Sequence, residues 1–127
     1  MASRLVTRHY DRALAPVGVT TNGYSILARL DREGPLPLGV LAARLAMDRT
    51  TLSREVGPLV AAGLVENAPD ERDGRRRVLS LSAGGTARVD AARPLWAAAQ
   101  ETIVDSFGAT RTAELLDELH ALVGAGA

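Results

Sequence analysis

Apolar positions along the first half of the chain recur three and four apart, which predicts helices rather than strands. Leu5, Val6, Tyr10, Ala13 and Leu14 fall at roughly this spacing, so residues 4–15 read as a short helix that Pro16 and Gly18 end. Thr20 or Thr21 can cap a second helix with Tyr24, Ile26, Leu27 and Leu30 on its apolar side. Asn22-Gly23 is a hairpin dipeptide only between alternating flanks; these flanks do not alternate, so it is assigned to the helix start. Gly34-Pro35-Leu36-Pro37 breaks the pattern. Helical spacing resumes with Leu38, Leu41, Ala42 and Leu45, and Ala46-Met47-Asp48 forms a turn. Asp48 places a carboxylate against the free amides of the next helix. There Leu52, Val56, Leu59 and Val60 are expected to face inward, leaving Arg49, Thr50, Ser53 and Arg54 outward near its start. Gly63 closes that helix, and Leu64-Val65 opens a strand.

The stretch from Asn67 to Arg77 is charged and turn-rich, with Pro69 and Gly74. Val78-Leu79-Ser80-Leu81 follows as a second strand, so the two strands read as a hairpin with a long tip. Ser82-Ala83-Gly84-Gly85 leads into a long helix through about Phe107. Thr110 caps a final helix with Leu115, Leu116, Leu119, Leu122 and Val123 on one face. No repeat and no linker divides the chain, and residues 1–127 read as a single domain.

Composition narrows the function classes. At 127 residues the chain can bury a core of its own. There is no cysteine, which excludes disulfides, thiolate metal sites and thiol redox switching. No apolar run approaches the roughly 18 residues that span a bilayer, and MASRLVTRHYDRAL has no continuous apolar core of the secretory kind; a soluble cytoplasmic protein is expected. The formal net charge is zero, whereas nucleic-acid binders are usually basic. Yet all fifteen cationic residues are arginine, the better fork for phosphate and guanine edges. A GC-rich genome would give the same composition, so only the placement of the arginines carries information. Between Asp48 and Arg77 six arginines are balanced by six acids.

The order of elements in residues 38–82 is that of a helix laid in a DNA groove beside a charged loop. LAARLAMDRTTLSREVGPLVAAGLVE, residues 41–66, resembles the helix-turn-helix and following strand of the MarR (multiple-antibiotic-resistance) family of transcriptional regulators. DERDGRRRVLSLS, residues 70–82, resembles that family's signature wing, and helices at both ends complete the likeness over nearly the whole chain. The resemblance implies a mainly α fold with a small β-hairpin: a winged helix-turn-helix core over residues 20–81, flanked by dimerisation helices over 4–15 and 83–124. It implies a homodimer on a palindromic operator in double-stranded DNA, acting as a ligand-responsive repressor. Pro37 departs from the Ser or Thr that the family often places ahead of the third helix. Pro58 lies inside the reading helix and removes one amide, which predicts a bend.

On this reading Arg49 and Arg54 are candidates for guanine or phosphate contacts, and Thr50, Thr51 and Ser53 for phosphates or a thymine methyl. Arg72, Arg75, Arg76 and Arg77 crowd the wing; the resemblance points to Arg75 as the residue entering a narrow minor groove. Asp73 is expected to hold the wing's shape by pairing with an arginine or bonding backbone amides. The same arginine run would also serve as a solvated turn. His9, Arg12, Tyr24 and Trp96 are candidates for a pocket holding a small aromatic or anionic effector, although Trp96 fits core or dimer packing better and His9 a helix surface. The apolar stripes of the last two helices suit either a second subunit or packing within the chain.

No serine sits in a nucleophile elbow, no glycine-rich loop precedes a lysine, and His9 and His120 lie at opposite ends, so neither an enzyme nor a metal site is expected and no cofactor is required. The alternative is a winged helix used for protein–protein contact without DNA binding, which zero net charge leaves open.

Overall fold

The computed structural model describes residues 4–107. The expected final helix, with Thr110, Leu115, Leu116, Leu119, Leu122 and Val123, lies outside the described residues. Five helices and three short strands follow in the order α1 (Arg4–Leu14), α2 (Thr21–Glu33), β1 (Leu36–Pro37), α3 (Leu38–Arg44), α4 (Arg49–Ala61), β2 (Val65–Pro69), β3 (Arg77–Leu81) and α5 (Ala83–Phe107), with a 3-10 turn over Ala15–Val17.

In α1 the buried face is Val6, Tyr10 and Leu14, at i, i+4 and i+8. Leu5, assigned to the same stripe from spacing, is 72% exposed, because it lies one residue off that face. Thr20 caps α2: its hydroxyl accepts from the Gly23 amide at 3.0 Å. Thr21, the other cap candidate, instead donates its hydroxyl and its amide to Asp11 Oδ1 of α1, at 2.7 and 2.6 Å. One carboxylate from α1 thus satisfies a free amide at the start of α2.

The helix-turn-helix is closed by backbone bonds. Met47 donates to the Ala42 carbonyl at 2.9 Å and Ala46 to Ala43 at 3.3 Å, with Ala46 in the left-handed region at φ 53°. In α4, Leu52, Val56 and Leu59 reach the core. Val60, expected inward, is 38% exposed, since the three buried residues already define the face and Val60 is turned away from it. The helix runs through Pro58 unbroken to Ala61.

The expected hairpin is a three-stranded antiparallel sheet in the order β1-β3-β2. β2 and β3 pair from Val65↔Leu81 to Pro69↔Arg77, while β1 adds Leu36↔Leu79 and Pro37↔Val78 on the other side of β3. Residues 36–37 were expected to be a simple break. Proline is tolerated there because the strand is at the sheet's edge.

The long helix α5 buries Val89, Ala92, Trp96, Ala99 and Ile103, spaced alternately three and four apart. This stripe packs within the chain, against α1 and α2. Trp96 stacks on Tyr10 at 3.9 Å and on Tyr24 at 5.0 Å, each at an interplanar angle of 26°. Polar contacts reinforce the junction: Arg88 donates to the Val17 carbonyl at 2.8 Å, and Arg93 bonds both Asp90, at 2.8 Å, and Asp31 of α2. The described residues contain no helix long and apolar enough to cross a membrane.

Candidate nucleic-acid interface

The core face of α4 leaves Arg49, Thr50, Ser53 and Arg54 exposed and Thr51 half-buried. Asp48 starts the helix by accepting from the Thr51 amide at 2.7 Å. That bond, aided by the positive charge of Arg54, holds the Asp48 carboxyl below its ordinary value of 3.8. A carboxyl lowered in the folded state stabilises it above the ordinary value and loses that contribution as pH falls through the lower one. Asparagine caps nearly as well as aspartate. Asp48→Asn is therefore expected to match the parent protein at neutral pH but to lose less stability between about pH 5 and pH 3. Urea midpoints measured across that range check this; parallel acid profiles would remove Asp48 from the account. The helix is also pinned from the side, where Asn22 of α2 donates to Glu55 Oε1 at 3.3 Å.

The wing is shaped by its acids. Asp70 accepts from the Arg72 amide at 2.9 Å, and Asp73 accepts from the Arg75 amide at 3.1 Å, two turns in which the side chain bonds the backbone two residues on. The Asp73 carbonyl takes the Arg76 amide, and the Arg76 carbonyl takes the Asp70 amide, each at 2.9 Å. Asp73 also stands 3.6 Å from the Arg75 guanidinium, whose side chain is 95% exposed. Arg72 and Arg76 are exposed as well. Arg77 differs. Although exposed, it donates from Nε to Asn67 Oδ1 and from Nη2 to the Asn67 carbonyl, both at 3.0 Å, and so clamps β3 to β2. Arg77 therefore spends its fork on the sheet, while Arg72, Arg75 and Arg76 keep theirs outward.

Helix α3, the start of α4 and the wing enclose an open groove. Leu38, Val40 and Ala43 give it apolar walls, and Arg44, Arg49, Arg75, Arg76 and Arg77 give it positive charge. Arg44 is shared with Glu33, 3.2 Å from its Nε; Glu33 is also paired to Arg29 at 2.5 Å, and those arginines hold its carboxyl low. Within this groove the Arg49 guanidinium rests against Gly39 of α3. The sequence alone does not point to Gly39 or Arg44, and it gives Asn22 and Asn67 no part in a site beyond a helix start and the edge of a turn. A glycine inside a helical pattern is a usable signal; the other three have partners 10 to 33 residues away and leave no local trace.

Of the four effector candidates, the fold brings Tyr24 and Trp96 into contact. Tyr24 and Trp96 are buried and give their ring faces to each other; burial raises the Tyr24 pKa against the pull of Arg93 and Arg32. The His9 ring bonds the Ala99 carbonyl at 3.1 Å, fastening α1 to α5, and Arg12 is exposed. Neighbouring Tyr10 is desolvated, which pushes its pKa up to about 12.

A capped helix projecting polar residues beside an arginine-tipped, three-stranded wing defines a winged helix-turn-helix protein. A model of the MarR family matches residues 17–76. The chain is 32% identical to MosR, a transcriptional regulator of Mycobacterium tuberculosis solved in complex with DNA, over 96% of this chain and 90% of that one, with a TM-score of 0.78. It is 35% identical to an HTH-type transcriptional regulator of M. tuberculosis (strain CDC 1551 / Oshkosh) over 59% of this chain and 52% of that one. It is 31% identical to the transcriptional activatory protein BadR of Rhodopseudomonas palustris over 67% of this chain and 56% of that one. The matches to these two curated relatives thus span little more than half their length. The chain belongs to the MarR family of transcriptional regulators, and this is a family of regulators rather than of enzymes.

Proposed function

We propose that the chain binds double-stranded DNA as a homodimer and represses transcription from a palindromic operator. The start of α4 enters the major groove, where a helix fits and base edges can be told apart. The wing reaches the neighbouring minor groove. Two copies place their reading helices in half-sites about 34 Å apart. The observation that carries this reading is the division of labour in the wing. Asp70 and Asp73 fold the turn from within, and the arginines they leave outward face solvent. Zero net charge is then compatible with a cationic contact surface, because the acids serve the backbone. The likeness to MosR, solved with DNA, supports the same reading. Repression is the expected output; BadR is named as an activator, and a reporter driven from the operator distinguishes the two. A small aromatic or anionic effector is a further part of this reading; with Tyr24 and Trp96 stacked in the core, its site would be completed by a second copy.

The test is binding to random and to selected duplexes as salt is raised. A dimer neutralising about six phosphates loses about a thousandfold in affinity between 50 and 200 mM salt. Selection from random DNA should return a palindrome. Affinity that does not change with salt would overturn DNA binding and favour a winged helix used for protein contact.

A further inference from the structure

We infer that Gly39 is a positioning residue for DNA binding: it opens a seat on α3 that directs the Arg49 guanidinium to the phosphate backbone rather than to base edges. The inference rests on the DNA-binding reading and names what one residue does within it.

Gly39 is the second residue of α3, a helix of only seven residues. Glycine weakens a helix relative to alanine, so a glycine here works against the element that contains it. Its backbone does not demand it, for Gly39 is not among the glycines with positive φ. Space does. A Cβ on Gly39 would overlap Nη2 of Arg49 and stand 3.1 Å from Cζ and 3.2 Å from Nε, three atoms of one planar group. Arg49 is the first residue of α4, and its side chain turns back to the first turn of α3. There it shares the groove with Arg75, Arg76 and Arg77.

The seat decides which part of DNA the guanidinium meets. In a helix-turn-helix the first helix crosses the backbone, and the second presents residues to base edges. A guanidinium held against α3 is on the backbone side. Thr50, Ser53 and Arg54 keep the free face of α4. Phosphate contacts fix register and carry no sequence information. Arg49 therefore contributes affinity, and the reading of bases at this end of α4 falls to its three neighbours. The atoms a Cβ would displace are the far end of a flexible side chain, so alanine at position 39 moves Arg49 and leaves the fold in place.

The experiment is a double-mutant cycle on the full chain with Gly39→Ala, Arg49→Ala and both together. Each protein is titrated with the selected operator and with random duplex at several salt concentrations. Arg49→Ala should weaken both DNAs alike, by about tenfold, and reduce the log–log salt slope by about one per protomer. Gly39→Ala should produce a smaller loss, several-fold and equal on both DNAs, with no fall in thermal midpoint. In the Arg49→Ala background it should add nothing. Three results would overturn the inference: Gly39→Ala binding like the parent, its effect persisting without Arg49, or Arg49→Ala altering preference at one base position with the salt slope unchanged. A parent chain that binds neither duplex would overturn the DNA-binding reading itself, and this is seen before any variant is compared.

Discussion

Replacing Gly85 with alanine is expected to cost about 3 kcal/mol and to lower the thermal midpoint by roughly 10 °C. Helix propensity alone predicts the opposite sign, since alanine improves on glycine in a helix by about 1 kcal/mol. Packing decides. A Cβ at position 85 would collide with the Leu64 carbonyl oxygen and stand 2.9 Å from Leu81 Cδ2 and 3.1 Å from the Leu64 carbonyl carbon. The obstacle is backbone, and that backbone is tied down. The Leu64 carbonyl accepts from the Ser82 amide at 3.1 Å. The Ser82 hydroxyl donates to the Gly63 carbonyl at 2.6 Å and accepts from the Gly85 amide at 3.0 Å. The start of β2, the end of β3 and the start of α5 meet in this one knot. Gly84 is the control: a Cβ there comes no closer than 3.5 Å to its surroundings, an ordinary contact. Gly84→Ala should leave the midpoint unchanged or slightly raised. Similar thermal unfolding of the two variants would show that the close approach at Gly85 is not what fixes this glycine.

Removing the wing-tip side chain should have the largest effect on binding. Arg75→Ala is expected to weaken the selected operator about 10- to 100-fold, the range for one well-placed arginine, with the thermal midpoint unchanged. The fold should survive because the side chain is 95% exposed. The turn should survive too, because it depends on the backbone amide of residue 75 donating to Asp73, which alanine keeps. A narrow minor groove carries the strongest negative potential in A·T tracts. The loss should therefore be greater for operators with A·T than with G·C base pairs under the wing. Gel-shift titrations on both operator types measure it, and an unchanged affinity would remove Arg75 from the interface. Arg77 makes a useful contrast. Its guanidinium is committed to Asn67, so Arg77→Ala should act through wing order more than through lost charge.

The helices and the turn between α3 and α4 were legible because their signals are local. Periodicity placed Leu41, Ala42, Leu52 and Val56 on buried faces, and Asp48 and Gly63 marked the ends of α4. β1 was not legible. Leu36-Pro37 has the composition of a break, and it is a strand only because Val78 and Leu79 of β3 lie alongside. Val60 was misplaced for a related reason: spacing gives a stripe its width, but the neighbours that fill the interior decide where it stops. In the candidate site, the exposed start of α4 and the arginine-rich turn could be read directly. What the sequence could not supply was which arginines are already engaged. Arg77 and Arg75 look alike in the chain, two residues apart, and only the fold brings Asn67 to one of them. Likewise Tyr24 and Trp96, as letters, can serve a pocket or a core. Their stacking, with Tyr10 on the same indole, makes them core.

That aromatic stack has a spectroscopic consequence. Trp96 is the chain's sole tryptophan, and it sits where α1, α2 and α5 meet, between two tyrosines. Light absorbed near 295 nm therefore excites a single, internal fluorophore. Its emission wavelength and its quenching by acrylamide report whether those three helices stay closed, with no label attached. The wing and the reading helix lie elsewhere and are optically silent, so a change in that emission on adding DNA would be a signal carried through the helix junction.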